Sequence, residues 1–131
     1  MRTNYLLFSI LLITFAALPA GLCAQNLEEI GTAIQSGNAQ NVAKYFDASI
    51  EITISSTEHD YSKAQGEMVL KDFFAHNTPT TFSIIHKGSS KQGSQYGIGT
   101  LVTGNGKFRT YVYIKQKGNI FYVEELRFEK D

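Results

Sequence analysis

The stretch that most restricts how this chain can fold runs from Thr80 to Glu129 and reads as four β-strands in succession. They are Thr80–Gly88, Gln95–Thr103, Lys107–Lys117 and Asn119–Glu129. Gly88-Ser-Ser-Lys-Gln-Gly93, Gly104-Asn-Gly106 and Gly118-Asn119 separate them, and Gly and Asn adopt positive φ with little strain. A meander of this kind makes a bent antiparallel sheet with one face to bury. The first half of the chain must therefore supply the cover.

Helical periodicity appears where that cover is needed. Asn26 is an N-cap candidate, and Leu27, Ile30, Ala33 and Ile34 recur as one apolar stripe before Ser36-Gly37-Asn38 ends the helix. Ala39–Phe46 reads as a second, short helix with Val42, Tyr45 and Phe46 turned inward. Ile50, Ile52 and Ile54 then alternate with Glu51, Thr53 and Ser55, which predicts a half-buried strand over Ser49–Ser55. Ser56–Tyr61 reads as a polar loop. Ser62 and Gln65 form a capping box for a third helix, Lys63–His76, with Met68, Val69, Phe73 and Phe74 at helical spacing. Asn77-Thr78-Pro79 stops that helix and opens the meander.

The N-terminus follows a different plan. Arg2, the apolar and hydroxyl run Leu6–Leu18, and Pro19-Ala20-Gly21-Leu22-Cys23-Ala24 make the three parts of a secretory signal, too short to span a bilayer. Residues 1–24 are thus expected to be a leader cut after Ala24, with Ala20 as the alternative, and residues 25–131 a single domain. Cys23 raises lipid anchoring, but lipoprotein signals place a small residue before the cysteine and Leu22 is bulky, so acylation is not favoured. Cleavage after Ala24 leaves no cysteine for a disulfide, a nucleophile or a metal site.

Twelve basic and twelve acidic residues cancel, and no basic cluster offers the charge that nucleic-acid binding needs. The three histidines, His59, His76 and His86, share no spacing typical of a metal site. No cofactor is implied.

Several stretches carry a resemblance: Gly31-Thr-Ala-Ile, Ser36-Gly-Asn-Ala, Tyr45-Phe-Asp, Tyr61-Ser-Lys and Val69-Leu-Lys-Asp-Phe-Phe. Further on come His86-Lys-Gly, Tyr96-Gly-Ile-Gly-Thr-Leu, Phe108-Arg-Thr-Tyr and Glu125-Leu-Arg. On these the domain resembles, end to end, a family of small exported bacterial proteins described as a domain of unknown function. Its order of elements resembles the cone-shaped nuclear-transport-factor-2-like fold, shared with ketosteroid-isomerase-like and SnoaL-like proteins. The resemblance implies an α+β domain with three N-terminal helices packed on a strongly curved, mostly antiparallel sheet. It carries no activity. Isomerases of that superfamily use a carboxylate base and a tyrosine or protonated acid as oxyanion donor, and no aspartate here aligns onto that base.

Weak catalytic candidates remain. His59-Asp60 is a possible base with its orienting carboxylate, although neighbours in sequence rarely face the same way. His86 falls in register with Phe82 and Ile84 and is placed to line a pocket. His76 sits near a helix C-terminus, where positive charge is favourable. Gly97, Gly99, Gly104 and Gly106 lie on a strand and a turn with no helix behind them, so they bend the sheet rather than cradle phosphate.

A stronger signal lies along Lys107–Lys115. Phe108, Val112 and Ile114 take one face, while Arg109, Tyr111, Tyr113 and Lys115 take the other. The second set is too aromatic for an ordinary wet face and marks a contact surface. The expectation is an exported binding or interaction module with no catalytic signature. Its partners would be a second copy through the open sheet face, a small apolar ligand or an envelope protein, with no nucleic acid and no membrane span. The alternatives are a small cofactor-independent lyase or isomerase using a cone-pocket acid or base, and a structural subunit of an envelope assembly.

Overall fold

The computed structural model describes residues 22–90 and 92–131, so most of the expected leader, residues 1–21, lies outside the described residues. The elements are α1 (Leu22–Ser36), α2 (Ala39–Ala43), β1 (Phe46–Ile54), β2 (Thr57–Ser62), α3 (Lys63–His76), β3 (Pro79–Ser89), β4 (Ser94–Thr103), β5 (Gly106–Lys117) and β6 (Ile120–Lys130). One six-stranded sheet runs in the order β2-β1-β6-β5-β4-β3. The β1–β6 pair is parallel and every other pair antiparallel. This is the expected α+β domain with a curved, mostly antiparallel sheet. Its third helix is not grouped with the first two but follows a hairpin.

That hairpin corrects the sequence reading. Ser56–Tyr61 is not a loop: its residues from Thr57 onward form β2, paired with β1 from Ile54↔Thr57 to Ser49↔Ser62. Ser55 and Ser56 make the two-residue turn with φ of 46° and 75°. Positive φ at both positions suits the right-handed twist of the strands, but it is normally signalled by Asn-Gly, and two serines hide it. Boundaries shift nearby. The second helix ends at Ala43, and Phe46 opens β1, although it is buried at 1% exposure as its burial was expected. α1 begins at Leu22, ahead of the Asn26 cap.

α3 starts at the expected capping box. The Gln65 amide donates to Ser62 Oγ at 3.3 Å, and the Ser62 amide donates to Gln65 Oε1 at 3.2 Å. Its inward stripe is Gly66, Leu70, Phe73 and Phe74, spaced i, i+4, i+7 and i+8. Met68 is not on it and stands 62% exposed. Gly66 lets the helix close on the sheet, because a β-carbon there would lie 2.6 Å from Ile50 Cγ2. Helix propensity favours alanine at that site; packing forbids it.

The covered face of the sheet is filled. Ile50 and Ile52, Val123, Leu126 and Phe128, and Phe108, Val112 and Ile114 join Leu27, Ile30, Ile34 and the α3 stripe in one buried cluster. Phe73 stacks on Phe128 with centroids 4.4 Å apart and meets Phe108 edge-on at 5.2 Å. Such contacts add to the area term, and together they fasten α3 to the two middle strands.

Phe73→Ala removes a side chain that is 4% exposed and touches two other rings. The expected loss is about 3–5 kcal/mol in denaturant unfolding, since three elements converge there and the hole cannot readily collapse. A loss below about 1 kcal/mol would mean that the ring contributes little to the core.

Candidate functional site

With the interior occupied by side chains, chemistry-bearing groups collect on the other face of the sheet. Register places them. On β5, Arg109, Tyr111 and Tyr113 point away from the helices and lie opposite Thr100, Ile98 and Tyr96 of β4. On the β6 side the same three meet Glu129, Arg127 and Glu125. Glu51 and Thr53 of β1 continue the row beside Glu125 and Arg127, and Asp60 and Glu58 of β2 end it.

A ladder of three rings and one guanidinium crosses four strands on this face. His86 and Tyr96 have centroids 5.8 Å apart, with Tyr96 Oη and His86 Nε2 at 3.4 Å. Tyr96 stacks on Tyr111 at 6.0 Å and 24°. The Arg127 guanidinium carbon lies 5.8 Å from the Tyr111 ring centre, within cation–π range. Arg127 Nη2 donates to Glu125 Oε1 at 2.7 Å, and Nη1 lies 3.8 Å from Glu129 Oε1. A depression of about 430 Å³ opens here, lined by Ile98, Arg109, Tyr111, Glu125, Arg127 and Glu129.

Two details of the backbone assemble the ladder. β3 carries a bulge between Ile84 and His86: Ile84 stays opposite Gly99 while His86 moves opposite Ile98. The extra residue, Ile85, is 68% exposed, and His86 passes to the open face. The expectation that His86 shares a face with Phe82 and Ile84 is therefore corrected. Gly88 sits opposite Tyr96, and a methyl group there would collide with the Tyr96 ring. Glycine lets the ring lie across β3.

His59 and Asp60 do not form a dyad. They occupy strand β2 rather than a loop, and strand alternation turns them to opposite faces. Asp60 pairs with Glu51, whereas His59 pairs with Ile52 and packs edge-on to Tyr61 at 6.1 Å. His76 Nδ1 lies 2.9 Å from the Asp72 carbonyl oxygen, near the C-terminal end of α3. Among the described residues no three His, Cys, Asp or Glu side chains gather closely enough to hold a metal ion. No described helix is long and apolar enough to cross a membrane.

The sequence reading picked Arg109, Tyr111, Tyr113 and His86 but missed Tyr96, Arg127 and Glu51 as their neighbours. The phase of β6 held the missing signal: Glu125, Arg127 and Glu129 alternate with Leu126 and Phe128, so they must lie on the uncovered side. Burial, then Glu125 and Tyr113, push the Tyr111 phenol above its ordinary value, against the lowering effect of Arg127. Burial, then Glu125, Glu58 and Asp60, push the Glu51 carboxyl up, again opposed by Arg127. Thr53 Oγ1 and Arg127 Nε are buried here without a hydrogen-bond partner. The face carries some electrostatic cost.

Glu51→Gln tests that cost. Because folding raises the Glu51 pKa, its charged form destabilises the fold above that raised value, and the penalty fades as pH falls toward the unfolded-state value. The variant should melt about 1–4 °C higher at pH 7 and show no gain near pH 3, measured by thermal unfolding. A gain that persists unchanged at low pH would mean that charge is not its cause.

Solved structures show what the chain is similar to. A DUF4783 family protein from Bacteroides uniformis is 26% identical, covering 79% of this chain and 95% of its own, with a TM-score of 0.75. A DUF4783 family protein from Bacteroides fragilis is 27% identical over 79% of this chain and 96% of its own, with a TM-score of 0.74. An NTF2-like protein of unknown function from Cytophaga hutchinsonii, at 6% identity, covers 83% of this chain and 89% of its own with a TM-score of 0.59, a likeness of fold alone. No curated protein matches the chain. The family model matches residues 27–129, in line with the resemblance read from the sequence, and the chain belongs to DUF4783, a domain-of-unknown-function family, here with a nuclear-transport-factor-2-like fold.

Proposed function

We propose that this protein is an exported, non-catalytic interaction module that works through the open face of its sheet, with a second copy of itself as the partner. One observation carries the reading. The helix-covered side, where a cone-fold enzyme would hold its pocket, is packed with apolar side chains, while stacked aromatics and charges crowd the uncovered side. A small apolar ligand fits less well, because two arginines and two glutamates line the depression there.

The charge pattern suits a two-fold axis. Glu58, Asp60, Glu51, Glu125 and Glu129 occupy the half made by β2, β1 and β6. Lys107, Arg109 and Lys115, with Tyr111, Tyr113 and Tyr96, occupy the other half. An axis along the strands between β5 and β6, the middle of the strand order, lays Glu125 and Glu129 of β6 over the partner's β5, the strand that carries Lys107, Arg109 and Lys115. Pairing also covers an aromatic patch that a monomer would leave wet.

Sedimentation equilibrium tests the pairing. At about 50 μM, a micromolar Kd gives mostly dimer, and Tyr111→Asp with Tyr113→Asp should yield folded monomers. A purely monomeric parent protein at that concentration would refute self-association. Export rests on residues 1–24, and N-terminal sequencing of native protein should begin at Gln25. A cytoplasmic chain starting at Met1 would refute that part.

A further inference from the structure

We propose a second docking site, distinct from the open face: the free edge of β2, which takes an added strand from a peptide whose side chains alternate basic and apolar. β2 is the last strand of the sheet and bonds on one side to β1. Among the described residues, no backbone group of Thr57–Tyr61 joins a turn, a cap or a side-chain hydrogen bond. Edge strands are usually guarded by charged side chains (lysine above all), proline, a bulge or a covering loop. The charges on β2 are the acids Glu58 and Asp60, which repel another acidic edge but not a basic strand. β2 is Thr-Glu-His-Asp-Tyr-Ser, with unbroken register to β1, so it has no lysine, no proline and no bulge.

The two faces flanking that edge differ in chemistry. Toward α3 lies a groove of about 630 Å³ whose lining includes His59, Tyr61, Gln65, Met68 and Val69. Met68 is one of the large apolar side chains that the core leaves out, at 62% exposure, and the one that lies in this groove. On the other face Glu58 and Asp60 stand beside Glu51. Arg127, the nearest cation of that row, is already held by Glu125 and Glu129.

A strand added along β2 would run about 4.8 Å away, and its side chains would point to the two faces in turn. Those on the carboxylate side are best matched by lysine or arginine. Those over Tyr61, Met68 and Val69 are best matched by aliphatic groups. A second copy is a poor occupant, because β2 against β2 brings Glu58 and Asp60 against their own equivalents. The proposed two-fold pairing does not neutralise these acids either: it lays β2 over the partner's β3, whose open-face residues Thr81, Ser83 and His86 include no lysine or arginine.

The test is titration of the purified, ¹⁵N-labelled protein with a capped six-residue peptide of alternating lysine and valine, read by NMR. Amide shifts should concentrate on Thr57–Ser62 and on Met68 and Val69. Glu58→Lys with Asp60→Lys, both exposed positions, should weaken binding about tenfold or more, and N-methylating alternate peptide amides should do the same. The Tyr111→Asp, Tyr113→Asp variant should bind within about twofold of the parent, which separates this site from the open-face reading. Shifts centred on Tyr111, equal binding of a glutamate–valine peptide, indifference to N-methylation, or no binding at millimolar peptide would each overturn the proposal. Concentration-dependent shifts on β2 without peptide would assign the edge to a second copy and overturn it as well.

Discussion

Phe128 is the residue on which the rest of the structure leans. It stands on β6, the strand that joins the parallel β1 pair to the antiparallel meander, and Phe73 of α3 stacks flat on it at 4.4 Å. Phe74 meets the same ring edge-on at 6.4 Å, so one helix grips one strand through two rings. This contact needs α3 close to the sheet, which Gly66 allows against Ile50. A helix seated that low, with its own Leu70 fully buried, leaves this part of the covered face packed with apolar side chains.

The outer face bears what the inner face excludes. Its tyrosines cannot be there for burial against α1, α2 or α3, since none of these described helices covers them, yet they stack in order across strands. Stacking aromatics over a polar sheet reduces wetted apolar area only in part. Arg127 completes the arrangement by lying against Tyr111 while its fork bonds Glu125, so one side chain joins the aromatic row to the acidic one. Replacing it with lysine would keep the charge and lose the planar fork that serves both contacts.

Legibility from sequence followed the strength of the local signals. The four meander strands stood out because Gly and Asn mark their turns, and β5 showed its two faces because Phe108, Val112 and Ile114 alternate cleanly with Arg109, Tyr111 and Tyr113. The capping box at Ser62 and Gln65 was equally plain. β2 was hidden for two reasons: its turn is built from serines in positive φ, and as an exposed edge strand it has no apolar alternation to display. His86 was misplaced because a bulge changes phase by one residue, and Ile85 looks like any other strand residue in sequence. The phase of β6 puts Arg127 on the open face, but its contact with Tyr111, like that of Tyr96, comes from cross-strand register, which a linear reading does not contain.

The two contact surfaces proposed for this fold use different directions of the same sheet. Face-to-face pairing acts along the sheet normal, through side chains, with partner sheets about 10 Å apart. Strand addition at β2 acts within the sheet plane, through backbone groups that side-chain packing leaves free. From β5 to β2 the sheet order passes β6 and β1, so roughly 14 Å separates Tyr111's strand from the free edge at the usual strand spacing. A partner on the face therefore need not occupy the edge. The acids of β2 bear on both proposals in one respect: they discourage β2-to-β2 association of identical chains, so the proposed self-pairing belongs to the open face rather than to this edge.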